Sequence, residues 1–315
     1  MRARPAPARF SLSFHHLEFS VIVITTPTGQ IGREVLDRLL DARDGAVPLR
    51  VIARDPGRLS SRAREAADVV RGSHADPAVL RAACAGADRV FWLVPPSPHA
   101  ASAEEHFRAF SLPLCEVIRE QGVERVVAVS TLGRGIAGNA GLVSASLAMD
   151  ERIAATGVHY RAVCPPFLME NLLGQAAALR AGELFMAYPA DRVLRTCATG
   201  DVAATAARLL LDDTWTGRGD VPTVGPDDLT PEGMAAVVSD VLDRTVRVRE
   251  TTPEQYEASA LRAGASEGWA RALADMARAL RDQGFYGADA PTTPETAPTG
   301  FGEWCEKVLR PAVLG

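Results

Sequence analysis

The sequence predicts an α/β fold: a doubly wound parallel sheet followed by a smaller, mostly helical part. Three observations predict it. Short β-branched runs recur, with helix-length segments between them. The runs are apolar throughout instead of alternating, as strands covered on both faces are. The first run passes through a glycine-containing turn directly into an amphipathic helix. Of the 315 residues, 47% are hydrophobic and 23% charged, enough for one large domain and a smaller one.

In chain order, Val21–Ile24 is the first strand. TTPTGQIGREVLDRLL follows, and its helix spans 32–43 with Ile31, Val35, Leu36, Leu39 and Leu40 on one face. Further strands are expected at 49–53, 68–70, 89–94, 125–130 and 158–163. Helices are expected between them at 58–67, 77–85, 103–121 and 144–156. Right-handed crossovers then place any ligand at the carboxyl ends of the strands. The rhythm breaks after residue 165. CPPFLMEN carries two prolines and leaves the sheet. A helix over 201–212 has Asp201 as its N-cap, and VPTVGPDDLT reads as a short strand and turn. A helix at 231–243, a short strand in VRVRE and helices at 253–263 and 266–283 come next. The Pro/Thr-rich DAPTTPETAPTG and a short helix around Trp304 close the chain. The expected division is a disordered tail over 1–18, a nucleotide-binding domain over 19–165 and a smaller substrate-binding part over 166–315, some of which returns to the sheet.

Composition excludes several functions. The net charge is −5 with no basic block, which argues against a nucleic-acid surface. No apolar run approaches a membrane span, and the Arg- and Pro-rich opening MRARPAPARFSLSFHH lacks the apolar core of a signal peptide. Cys84, Cys115, Cys164, Cys197 and Cys305 are scattered without a CxxC, as free thiols of a reducing compartment such as the cytoplasm are. The six histidines form no helical metal pair, so no metal is expected.

The turn after the first strand carries the chemistry. A dinucleotide turn normally has three glycines; here Gly29 and Gly32 are present, and Thr26, followed by Pro27, stands at the first position. Gly29 lets a phosphate approach the backbone, and Gly32 lets the helix pack on the strand. Gly29, Gln30, Ile31 and Gly32 are therefore expected to hold a pyrophosphate at the helix start, with Thr28 adding a side-chain contact. The second strand ends in VIARDPGRL. An acid there would select a ribose 2′-OH; Arg54, with Arg58 a turn later, suits a 2′-phosphate, and so NADPH over NADH. Asp55 either meets a 2′-OH or caps the next helix.

Taken together, these segments resemble the NmrA-like family of atypical short-chain dehydrogenases/reductases. TTPTGQIG stands where the family has its GATGxxG-type turn. VIARDPGRL, RVFWLVPP and RVVAVSTLG resemble its second, fourth and fifth strand ends, and ERIAATGVHYRAVCPPFLMENLL and TGDVAATAARLLLDD its later segments. The resemblance runs from about residue 20 to 248. It implies an NAD(P)-binding Rossmann domain, a small C-terminal substrate domain, and either a reductase of quinones, azo compounds or natural-product intermediates or a dinucleotide sensor.

One departure matters. Short-chain dehydrogenases use a Tyr-xxx-Lys pair as acid and base, and GLVSASLAMDERIAATG has neither residue. Ser130, with Thr131 beside it, ends the fifth strand, and Ser130 with the backbone from Pro165 to Phe167 is expected to flank a nicotinamide. His99 is a second catalytic candidate, as a proton donor on the loop after the fourth strand. His74 is either a cofactor-edge contact or a loop residue. Tyr160, Trp269, Phe285, Tyr286 and Trp304 read as packing, and Asn171 as a tie between the second part and the fifth strand. The leading reading is an NADPH-dependent oxidoreductase acting on a hydrophobic, activated small molecule such as a quinone, imine or enone, as a monomer or homodimer. Two alternatives stay open: an NADPH sensor, and a non-redox cyclase, dehydratase or isomerase with His99 or Asp150 as its base.

Overall fold

The structure, a computed structural model, describes residues 21–42 and 47–315; the expected tail lies outside the described residues. In the first half, strands β1 (Val21–Ile24), β2 (Leu49–Ala53), β3 (Ala67–Arg71), β4 (Ala87–Trp92), β5 (Arg125–Val129) and β6 (His159–Cys164) alternate with helices. The helices are α1 (Gln30–Ala42), α2 (Ser61–Ala66), α3 (Pro77–Cys84), α4 (Ala103–Gln121) and α5 (Leu142–Ala154). The second half adds β7 (Phe167–Leu168), α6 (Ala176–Arg180), β8 (Glu183–Met186), β9 (Thr196–Cys197), α7 (Thr199–Leu211) and β10 (Arg218–Pro222). It ends with α8 (Pro231–Leu242), β11 (Arg247–Glu250), α9 (Pro253–Arg262), α10 (Glu267–Gln283), α11 (Phe301–Trp304) and α12 (Arg310–Leu314).

The main sheet has seven parallel strands in the order β10-β6-β5-β4-β1-β2-β3. Val23 lies opposite Arg50 of β2 and Val90 of β4, which fixes the register at the centre. Because strand side chains alternate, the continuous apolar runs feed two cores. Ile22, Ile24, Val51, Phe91 and Val127 pack under α1 and α7. Val23, Ile52, Val90, Trp92 and Val126 pack under α3, α4 and α5. Each such fully buried side chain stabilises the fold by about 1.5–3 kcal/mol. A third core, including Met169, Leu194, Met234, Val238 and Trp304, holds the C-terminal part together.

Three expectations change. The helix after β2 starts later than 58, because Asp55 caps a separate short turn, Pro56–Arg58, and Ser60 caps α2. Asp201 is not an N-cap. Helix α7 begins at Thr199 after Ala198, and Asp201, in its first turn, accepts the Thr299 N–H at 3.0 Å and its hydroxyl at 2.9 Å. The strand expected in VPTVGPDDLT falls at Arg218–Pro222 and joins the main sheet beside β6. The Pro/Thr-rich segment is pinned to the end of that strand. Thr293 Oγ1 accepts from Val224 N at 2.8 Å, and Thr296 Oγ1 donates to Pro222 O at 2.9 Å.

Candidate active site

Strand order reverses between β1 and β4, so a crevice opens at their carboxyl ends. Thr25 stitches the two strands there: its hydroxyl donates to Phe91 O at 3.0 Å and accepts from Leu93 N at 3.1 Å. The next residue, Thr26, takes φ = 52°, the left-handed region that a glycine would normally occupy. Its hydroxyl is buried and has no hydrogen-bond partner.

The two glycines play different parts. A Cβ on Gly32 would lie 2.2 Å from Thr26 O, so close packing of α1 on the turn forbids any side chain. A Cβ on Gly29 would meet Thr26 O at an ordinary 3.4 Å. The folded chain does not itself require Gly29. It is exposed, supplies no capping side chain, and leaves the first-turn N–H groups of α1 without an intrahelical acceptor. An open glycine at this helix start fits a pyrophosphate. Thr28 is half-buried and Gln30 exposed at the same edge, whereas the Ile31 side chain is buried and only its backbone is available.

At the end of β2, Arg54 and Arg58 are exposed, and neither makes an ion pair among the described residues. Asp55 is occupied in accepting the Gly57 N–H at 3.0 Å, which decides its alternative in favour of capping. His74 is buried, with its ring edge-on to Trp92 and Phe110. Its Nε2 donates to Leu93 O at 3.0 Å. Burial lowers its pKa to about 4, so it stays neutral. His106 Nε2 likewise donates to Pro95 O at 2.8 Å. The two imidazoles thus bracket the chain leaving β4, beside the crevice, a role that sequence spacing does not reveal. His99, on the same loop, is exposed and has no hydrogen-bond partner among the described residues.

At the end of β5, Ser130 and Thr131 face different surroundings. Ser130 Oγ is buried and donates to Asp150 Oδ2 at 2.5 Å. Tyr160 donates to the other oxygen at 2.5 Å, and Arg134 Nη2 lies 3.1 Å from Oδ2. Burial pushes the Asp150 carboxyl up, while the Ser130 and Tyr160 hydrogen bonds draw it back part of the way. Ser130 therefore braces β5 against α5, and Tyr160 is packing with a polar tip. Thr131 is half-buried, and its hydroxyl pairs with that of Tyr286. Beyond β6, Pro165 O accepts from Leu132 N at 3.3 Å, which holds the 165–167 backbone against the end of β5. Asn171 is exposed and ties nothing among the described residues. The neighbouring Glu170 makes the connection instead, accepting Thr199 N and Trp304 Nε1, each at 3.0 Å. Trp269, Tyr286 and Trp304 are buried and Phe285 half-buried, as core residues are.

A cavity of about 350 Å³ opens beside the loop after β4, walled by Pro98, Tyr256, Ala260, Trp269 and Leu273. It lies between the α9–α10 hairpin and that loop, where Ser266 N donates to Pro98 O at 2.8 Å.

Comparison with known proteins places this geometry. Residues 27–213 match the NAD(P)H-binding family. The chain is 30% identical over 231 residues to a (4-alkanoyl-5-oxo-2,5-dihydrofuran-3-yl)methyl phosphate reductase of Streptomyces griseus, covering 73% of this chain and 77% of that one. It is 26% identical over 257 residues to an NAD(P)H azoreductase of Xenophilus azovorans, covering 81% and 86%. The fold matches that of an NADPH-dependent quinone oxidoreductase of Escherichia coli complexed with NADPH, with a TM-score of 0.75 at 22% identity, covering 91% of this chain and 99% of that one. The sheet order, the glycine turn and the family match over more than half its length agree: the chain belongs to the NAD(P)H-binding family.

Proposed function

We propose that the protein is an NADPH-dependent oxidoreductase whose acceptor is a hydrophobic, electron-poor small molecule: a quinone, an imine or an enone. The observation that carries this reading is the start of α1, where packing does not require the exposed Gly29, with Arg54 and Arg58, exposed and without an ion pair among the described residues, after the neighbouring strand β2. The N–H groups of Gln30, Ile31 and Gly32 hold the pyrophosphate, and Thr28 borders it. The two guanidinium groups hold the 2′-phosphate. Ser130, through the strand end it braces, and the Pro165–Phe167 backbone flank the nicotinamide. When bound, the dinucleotide supplies the hydride. An activated acceptor suits this chain because α5 carries no Tyr-xxx-Lys pair and Ser130 already donates to Asp150. The reductase activities of the two relatives support the same class. The five free, buried cysteines fit a reducing compartment such as the cytoplasm.

The test is a calorimetric titration with NADPH and with NADH, on the wild type and on Arg54→Ala/Arg58→Ala, followed by NADPH consumption with quinones and enones. Tighter binding of NADPH than NADH, with the preference lost in the double variant, supports the site. Binding of neither nucleotide overturns the reading.

A further inference from the structure

We infer that Thr131 and Tyr286 form a two-hydroxyl proton relay at the acceptor end of the crevice, standing in for the acid that α5 lacks. The inference rests on the oxidoreductase reading above. Thr131 follows Ser130 at the carboxyl end of β5, the neighbour of β4, and is half-buried where Ser130 is buried. Its Oγ1 donates to Leu132 O at 3.0 Å and also makes a short contact with Tyr286 OH. A hydroxyl has one proton to give, so Tyr286 is the donor within the pair.

Tyr286 comes from the C-terminal part of the chain and is held firmly. Helix α10 ends at a left-handed Gly284, and the Tyr286 carbonyl accepts from Arg195 N at 2.8 Å. Phe285 packs edge-on against the Tyr286 ring, with centroids 5.0 Å apart. Burial pushes the phenol up to about 12, so its proton is in place at neutral pH. A buried tyrosine usually finds a hydrogen-bond partner for its hydroxyl. This one ends on the hydroxyl at the tip of the strand that borders the crevice. Among the described residues, the proton on that hydroxyl rests only on the carbonyl of the next residue.

The step balances. The acceptor receives a hydride from the reduced dinucleotide, and the displaced electron pair moves to its oxygen, nitrogen or α-carbon. That anion takes the Thr131 proton, Thr131 takes the proton of Tyr286, and a proton from water returns to the buried phenol by way of the half-buried Thr131 hydroxyl. The sum is NADPH, acceptor and one proton giving NADP and the two-electron-reduced acceptor.

The experiment compares two acceptors that differ in their need for a proton. A naphthoquinone must be protonated after hydride transfer, whereas a cationic triarylmethane dye becomes neutral on hydride alone. In Thr131→Val and Tyr286→Phe, kcat with the quinone is expected to fall by about a hundredfold more than kcat with the dye. Thr131→Ser is expected to restore quinone turnover. In the free protein, Thr131→Val is expected to shift the pH at which Tyr286 ionises, read by ultraviolet difference absorbance against Tyr286→Phe. Equal losses with both acceptors, no loss with either, or an unshifted ionisation would overturn the relay and leave the oxidoreductase reading standing. A wild type that binds no NADPH and turns over neither acceptor would overturn both.

Discussion

Under the proposed function, Thr26 and the two glycines of the first turn divide folding from binding, residue by residue. Thr26→Gly removes a β-branched residue from the left-handed region and a buried hydroxyl without a partner. It is expected to stabilise the protein by about 1 kcal/mol with NADPH affinity retained. Gly32→Ala drives a methyl against Thr26 O and is expected to cost about 2–3 kcal/mol. Gly29→Ala is expected to leave stability within about 0.5 kcal/mol of wild type and to weaken NADPH binding. Denaturant unfolding and calorimetry separate the three. His74 makes a second prediction. Its pKa is about 4 folded against 6.5 in the free side chain, so between these values the unfolded chain binds the proton first. Stability is therefore expected to fall as pH drops through that window, by at most about 3 kcal/mol, and to level off below it. His74→Gln should flatten the slope; an unchanged slope would place the titration elsewhere. The glycine turn and the exposed positions of the two arginines were legible in the sequence because both follow from local geometry at the ends of β1 and β2. The pairing of Thr131 with Tyr286 was not: the hydroxyls belong to residues 155 apart, and no local pattern encodes their meeting.

At the scale of elements, β-branched runs and amphipathic spacing placed the strands and helices of the first half within a few residues. Most of the differences lie at helix starts, where caps decide. Helix α7 shows why. Its cap residue, Ala198, has no side chain to offer, and Glu170 supplies the acceptor from outside while also holding Trp304. The sequence offers Asp201 as the obvious local cap and gives no sign of a distant one. Glu170→Ala is expected to cost about 2–3 kcal/mol and to loosen α7 and α11 together. Hydrogen exchange would show protection falling in both helices. Loss confined to one would separate them.

Over the whole molecule, the break after residue 165 reads as a domain boundary, yet the two halves share one sheet and one of its cores. Helix α7 covers the same face as α1, and β10 completes the sheet beside β6. A parallel strand missing from an edge leaves a row of unpaired backbone groups on its neighbour. A fragment ending at residue 217 is accordingly expected to associate or to unfold without a sharp transition. A monomeric, cooperatively unfolding fragment on gel filtration and thermal melting would contradict this. The same placement of β10 sets a timetable for synthesis. Emerging from the ribosome, the nascent chain is expected to present the open edge of β6 from residue 164 until β10 is complete at residue 222, the interval in which a holding chaperone would bind it.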